Sequence, residues 1–226
     1  MNLLTNEKFW NSLLKTPPVK WMLKVTLKKC PKCNRIPLET ALDNYSGKYT
    51  IKCSSCNLYT RVIELWITFI QKVLAVEKSR VSKLFGDPYV RRAVKSIVYG
   101  FAEFGFTRPI QVHAPFLVVW NFTYKCNLHC KHCYSSSGKS SKPELSTEEA
   151  MKVVDQLADF GVTSLAFSGG EPLMRKDFFE VARHAVDSGL YVSLATNGTL
   201  LNKENVRKLK EIGLHYVEVS VDGANA

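Results

Sequence analysis

The chain has no solitary cysteine, no long unbroken apolar run and, in its first half, few acidic residues. All seven cysteines fall in clusters, Cys30, Cys33, Cys53 and Cys56 and then Cys126, Cys130 and Cys133, and none follows Cys133. Clustering without a leftover thiol argues against a disulfide framework and for metal, in a cytoplasm where thiols stay reduced. The start, Met1 to Glu7, lacks the basic residues and apolar stretch of a signal peptide. The most apolar window, Val62 to Val76, is broken by Glu64, Gln71 and Lys72, which excludes an unaided membrane span.

The scarcity of acid is local. Residues 1–110 carry 19 Lys and Arg against 7 Asp and Glu, while residues 111–226 carry 12 against 13, so the +11 of the whole chain belongs to its first half. Two readings stand: an anionic partner such as nucleic acid, a phospholipid surface or a phosphorylated substrate, and a solvated basic surface with no dedicated partner. With 226 residues, 46% of them hydrophobic, the composition is globular and supplies one large domain or two small ones.

Taken in order, the chain predicts a short helix from Glu7 to Leu14 stopped by Pro17-Pro18, then a lysine-rich strand from Val19 to Leu27. Cys30-Pro-Lys-Cys33 and Cys53-Ser-Ser-Cys56 flank a turn at Tyr45-Ser-Gly47 and a strand from Tyr49 to Lys52, so a hairpin is expected to bring two thiol knuckles together. Four thiols at that spacing make a closed tetrahedral site for zinc, or for mononuclear iron of the rubredoxin type, that staples a small domain. A zinc ribbon gripping nucleic acid is the functional alternative. Arg61 to Glu77 reads as an apolar helix, and Asp87-Pro88 opens a second, with Asp87 as N-cap. Its Val90, Val94, Ile97, Val98, Phe101 and Phe104 recur at helical spacing beside Arg91, Arg92 and Lys95. That face either packs on the next domain or lies on a membrane surface. Gly105 to Pro115 reads as a linker.

From Pro115 the pattern changes to strands alternating with capped helices, which implies a parallel α/β sheet. Strands are expected at Phe116 to Phe122, Val162 to Phe167, Leu190 to Ala195 and Tyr216 to Val221. Helices are expected after the capping box Ser146-Thr-Glu-Glu149, after Asp177, and from Asn202 to Ile212. Every candidate functional residue falls just after a strand, the face on which such folds build sites. The first strand ends in Cys126, Cys130, His132, Cys133 and Tyr134. Three soft thiolates with one position open suit an iron-sulfur cluster better than zinc, whose open sites usually include a histidine or carboxylate. The second strand ends in Gly169-Gly170-Glu171-Pro172, the third in Thr196-Asn197-Gly198 and the fourth in Ser220-Val-Asp222-Gly223.

Cys-x3-Cys-x-aromatic-Cys with His132 in the aromatic place, followed by these three strand ends in this order, resembles the radical S-adenosylmethionine (radical SAM) superfamily. The resemblance covers about Pro115 to Ala226. It implies a partial (β/α) barrel, about four of six strands, in residues 111–226. A zinc-ribbon-like four-cysteine segment (1–60) and a basic helical linker region (61–110) would precede it. The resemblance further implies that Cys126, Cys130 and Cys133 ligate a 4Fe-4S cluster whose fourth iron is chelated by S-adenosylmethionine. Gly169, Gly170, Glu171 and Pro172 would hold the methionine ammonium, Ser220 and Asp222 the ribose, and Thr196 and Asn197 the cofactor pocket. His132 or Tyr134 would flank the adenine, or else be packed or solvent-facing aromatics. Reductive cleavage to a 5'-deoxyadenosyl radical that takes hydrogen from a substrate is the implied activity, with ferredoxin or flavodoxin as electron donor. Four strands leave an open edge, so a fragment, an early stop or a second polypeptide completing the barrel is expected. The alternative class is a non-catalytic zinc and iron-sulfur protein that binds an anionic partner or senses redox state.

Overall fold

The paired prolines Pro17-Pro18 open a helix. The computed structural model describes residues 11, 12, 14, 16–107, 109–138 and 143–223, in two units, Met1–Ala114 and Pro115–Ala226. In the first, α1 (Pro17–Leu27) carries proline in its opening turn, where a missing N–H costs nothing, so the strand expected from Val19 to Leu27 is helical. Of the helix expected at Glu7 to Leu14, Asn11, Ser12 and Leu14 are described and helical; the rest lies outside the described residues.

The hairpin expected between the thiol knuckles is also replaced by a helix, α2 (Pro37–Tyr45). Leu38, Ala41 and Leu42 are buried at helical spacing, and that stripe decides the segment; residues 49–52 belong to no strand. Three helices follow: α3 (Ser54–Val73), which begins on Cys53, α4 (Lys78–Gly86) and α5 (Pro88–Phe104). Pro88 opens α5 as expected, although the Asp87 side chain makes no capping bond. The core of this unit gathers Leu27, Ile36, Leu38 and Leu42, with Ile63, Ile67, Phe85, Val94, Val98, Tyr99 and Ala102 packed around them. The apolar face of α5, expected to pack on the next domain or to lie on a membrane surface, packs within its own unit through Val94, Val98 and Ala102. The expected linker is fastened to α5: the Ser96 hydroxyl accepts from the Ala114 amide at 2.9 Å and donates to its carbonyl at 3.0 Å.

In the second unit all four expected strands form: β1 (Leu117–Thr123), β2 (Ser164–Gly169), β3 (Tyr191–Thr196) and β4 (Tyr216–Val219). They make one parallel sheet in the order β1-β2-β3-β4. The connections carry α6 (Thr147–Phe160), α7 (Phe178–Asp187) and α8 (Lys203–Glu211). The capping box at Ser146 and Glu149 is complete, and Asn202 caps α8. Asp177 precedes α7 but makes no capping bond, because its carboxylate accepts from Arg175 and Thr147 instead. Leu165, Phe167, Val192 and Leu194 are fully buried. Phe122, Phe167 and Phe178 meet edge-to-face at centroid distances of 5.0 to 6.3 Å, so the sheet is anchored under the strand ends that carry the motifs.

Candidate cofactor site and four-thiol centre

Because all four strands run the same way, their C-terminal ends reach one edge, and the β2 end lies directly against the chain entering the cysteine loop. The Gly170 amide donates to the Thr123 carbonyl and the Glu171 amide to the Lys125 carbonyl, both at 2.8 Å. A Cβ at Gly169 would collide with the Thr123 oxygen, and one at Gly170 with the Lys125 oxygen. The paired glycines are thus required for backbone to pass backbone, beside Cys126 itself.

Glu171 is fully buried. Its carboxylate accepts from the Thr196 hydroxyl at 2.9 Å to each oxygen, from the Asn197 amide at 2.9 Å and from the Leu173 amide at 3.2 Å. A charge taken out of water needs such donors, and here they come from the end of β3. The chain of contacts continues to the thiols. The Asn197 side-chain amide donates to Asn127 Oδ1 at 2.9 Å and lies 3.8 Å from Cys126 Sγ, and Asn127 donates in turn to Thr199 at 2.8 Å.

Cys126 and Cys133 are half-buried and Cys130 is exposed. The Cys133 thiol is held below its ordinary pKa chiefly by the Ser135 hydroxyl and by backbone amides of the Ser135 to Ser137 turn. One metal ion bound by thiolates at about 2.3 Å holds them about 3.8 Å apart. Among the described residues the three sulfurs do not draw together within 4.8 Å as a single-ion set would. Three thiolates on one loop suit a four-iron cluster by the chemistry of the donor set, leaving one iron for a ligand that is not the protein.

The family model for the radical SAM superfamily matches residues 120–226. Residues 120–226 form a radical SAM domain. Over 108 residues the chain is 51% identical to Fe-coproporphyrin III synthase of Methanosarcina barkeri, covering 47% of this chain and 27% of that protein. Over 116 residues it is 52% identical to AdoMet-dependent heme synthase of the same organism, covering 50% and 33%. Mycofactocin maturase MftC of Mycolicibacterium smegmatis is 41% identical over 113 residues, 50% of this chain and 29% of that one. The chain thus spans about a third or less of these relatives. The solved structure of Streptococcus suis SuiB bound to S-adenosylmethionine aligns with a TM-score of 0.47 and 16% identity, over 80% of this chain and 39% of that one.

Within the radical SAM domain the remaining expected site residues divide. Pro172 is buried and opens a short 3-10 turn, Pro172–Met174. The Ser220 amide donates to the Thr196 carbonyl at 3.0 Å. His132 Nε2 lies 3.4 Å from Asp222 Oδ1, joining the cysteine loop to the chain beyond β4, with both side chains exposed. The Tyr134 ring is exposed, and its hydroxyl donates to Asn121 at 3.2 Å and lies 3.4 Å from Ser168 Oγ.

Three positions of the domain were not foreseen from sequence. Buried Arg175 pairs with Asp177 at 2.8 and 2.9 Å, donates to the Phe122 and Leu145 carbonyls at 3.0 and 2.8 Å, and stacks 4.1 Å over the Phe122 ring. It clamps the end of β1 to the loop after β2, and holds the Asp177 carboxyl below its ordinary pKa. Glu144 accepts from the Thr123 hydroxyl at 2.6 Å and the Tyr124 amide at 3.0 Å. Burial pushes its carboxyl up, but these donors and Lys125 outweigh burial and leave it lowered. The Ser135 hydroxyl reaches Cys133, Ser137 and the Gly169 carbonyl at 3.4, 2.6 and 3.2 Å. The only sequence signal for Arg175 is an opposite charge two residues on, which is common on any surface.

The four-thiol set of the other unit has a different geometry. Cys30, Cys33, Cys53 and Cys56 place their sulfurs all within 4.8 Å of one another. Cys30 and Cys53 are 3.9 Å apart and Cys33 and Cys56 3.4 Å apart, near the edge of a tetrahedron around one ion. The backbone amides of Cys33 and Lys32 lower the Cys30 thiol to about 6, whereas burial pushes Cys56 up.

Proposed function

We propose that the chain is a radical SAM enzyme, or part of one, holding a 4Fe-4S cluster on Cys126, Cys130 and Cys133 with one iron left for S-adenosylmethionine. The observation that carries this reading is the meeting of the cysteine loop, through Cys126 and through Ser135 beside Cys133, with the Gly169-Gly170-Glu171-Pro172 and Thr196-Asn197-Gly198 strand ends at one sheet edge. Held on Cys126, Cys130 and Cys133, such a cluster would supply the one-electron reduction by which S-adenosylmethionine is used for radical chemistry on a substrate. The chain's own residues do the holding. Asn197 directs an amide toward Cys126. The Glu171 carboxylate is occupied by Thr196, Asn197 and Leu173, so it acts as a positioning residue, and the backbone around Gly169 and Gly170 is left to meet the methionine ammonium. Ser220 and Asp222 are assigned to the ribose, and His132 and Tyr134 to the rim of the adenine.

The four-thiol centre is assigned a structural zinc, with iron the competing occupant. A ferredoxin or flavodoxin supplies the electron, and seven thiols without a disulfide favour a cytoplasmic setting. Exposed Tyr216, Val219 and Val221 favour further strands, of this or another polypeptide, pairing along the open edge of β4. The relatives' names span heme synthesis and mycofactocin maturation at 41 to 52% identity, so this region carries cofactor chemistry and the substrate is chosen elsewhere. The test is electron paramagnetic resonance of the anaerobically reconstituted, reduced chain. A cluster signal that changes when S-adenosylmethionine is added, and is absent in Cys130→Ala, supports the reading; a cluster signal indifferent to S-adenosylmethionine contradicts it.

A further inference from the structure

Helix α3 is apolar on two sides, and only one of them is used. Cys56, Thr60, Ile63 and Ile67 recur at helical spacing and face the thiol centre and the core of their unit. Leu58, Leu65 and Phe69 fall on the opposite side of the helix and are 67%, 70% and 59% exposed, with Trp66 exposed on the flank beside them. Trp66 and Phe69 meet edge-to-face there at 6.1 Å. Ile70 and Leu74, at the far end of the core-facing stripe, are exposed too, as are Val76 beyond the helix and Leu84 of α4. A helix apolar all round is ordinarily buried, and an exposed apolar ridge of this length marks a surface that meets something.

The charge beside the ridge says what. Between Leu65 and Gly86 the chain has Lys72, Lys78, Arg80 and Lys83 against the single acid Glu77. All four cations are exposed, and among the described residues none forms an ion pair. Aliphatic and aromatic side chains followed by exposed cations outside any ion pair match the boundary of an anionic bilayer, where acyl chains accept the former and headgroup phosphates the latter. Nucleic acid would use the cations and the two rings but has no place for Leu58, Leu65, Ile70 and Leu74. No helix among the described residues is long and apolar enough to cross a membrane, and α3 itself carries Arg61, Glu64 and Lys72, so the mode is surface attachment.

We propose that the outer face of α3 and the basic segment through α4 dock on an anionic lipid bilayer surface, presenting the chain to a substrate or partner held at that surface. The assignment does not depend on the cofactor site. It is tested by flotation of the full chain with vesicles of phosphatidylcholine alone and of phosphatidylcholine containing phosphatidylglycerol. Wild type is expected to float with the anionic vesicles and to be released by high salt. Leu65→Glu with Phe69→Glu is expected to lower partitioning at least tenfold. Lys78→Glu, Arg80→Glu and Lys83→Glu together should remove the preference for anionic lipid, each cation near the surface being worth about fivefold. Retained metal at the four-thiol centre and unchanged helical circular dichroism verify that the variants fold. Absence of flotation with anionic vesicles overturns the proposal, as does equal flotation of the Leu65→Glu, Phe69→Glu variant. A wild-type dimer that those two substitutions dissociate, without vesicle binding, assigns the ridge to a second copy and also overturns it.

Discussion

Replacing Glu171 with glutamine keeps the shape of the side chain and reverses the polarity of one of its ends. In the native protein both carboxylate oxygens only accept, and every donor around them is fixed: the Thr196 hydroxyl, the Asn197 amide and the Leu173 amide. A glutamine must turn its NH2 toward either Asn197 or Leu173, so two donors face each other in a fully buried place. One backbone donor left unpaired costs about 1 to 3 kcal/mol, and the remaining bonds lose the strength that a charged acceptor gives them, about 1 kcal/mol more. We therefore expect Glu171→Gln to destabilise the radical SAM domain by about 2 to 4 kcal/mol, measured by urea unfolding of the chain without S-adenosylmethionine. Thr196→Val in the same background should add little, because the two share one network. The loop carrying Asn197 should loosen as well, seen as faster amide exchange at Asn197 and Gly198. If Glu171→Gln instead unfolds like wild type and loses only S-adenosylmethionine affinity, the positioning role is wrong and the carboxylate meets the ligand directly.

The other expectations are more local. Gly170→Ala, whose methyl would strike the Lys125 carbonyl, should cost several-fold in iron retained after reconstitution. Gly47→Ala, with nothing near its added methyl but φ at +78°, should cost only about 1 kcal/mol and leave the iron unchanged. Asp177 has a carboxyl held below its ordinary 3.8 by Arg175. Its contribution is therefore complete above that value and lost as pH falls through the lowered one, and Asp177→Asn should flatten the acid limb of stability below about pH 4. At pH 7 the same change should cost about 1 to 3 kcal/mol, because Arg175 remains buried. Cys56→Ser should lower the metal affinity of the four-thiol centre at least tenfold and unfold the helices around it, since a structural site's binding energy is folding energy. Metal analysis with circular dichroism reads both, and a helical, metal-free Cys56→Ser protein would show the centre to be dispensable.

The second unit was legible because its signals are local and agree with one another. Glycine at the close of α6, the Ser146 to Glu149 capping box and the Asn202 cap each fix an element end, and four apolar runs between them leave only a parallel sheet to build. What escaped there was set by tertiary contact. Asp177 reads as a cap until Arg175, two residues away, takes its carboxylate. Glu171 reads as an outward ligand until the donors of β3 surround it. The first unit was harder for a different reason. Its lysine-rich and proline-flanked segments obey no period of two, yet the hairpin expectation imposed one between the knuckles. Leu38, Ala41 and Leu42 carry the helical period that decides α2, and Pro17 and Pro18 serve α1 as an opening turn. The convergence of the four thiols was legible, because it follows from ligand count and spacing whatever joins them. Exposure of the α3 ridge was not, since no sequence pattern tells a twice-buried helix from one with a face left open.

The central claim is the open cluster site, and production of 5'-deoxyadenosine tests it most directly. The chain, reconstituted with iron and sulfide without oxygen and reduced with dithionite, is incubated with S-adenosylmethionine and the product is measured by mass spectrometry. The account predicts 5'-deoxyadenosine from wild type and none from Cys130→Ala. Product formed equally by both, or a fully loaded wild-type cluster that yields none, would contradict it.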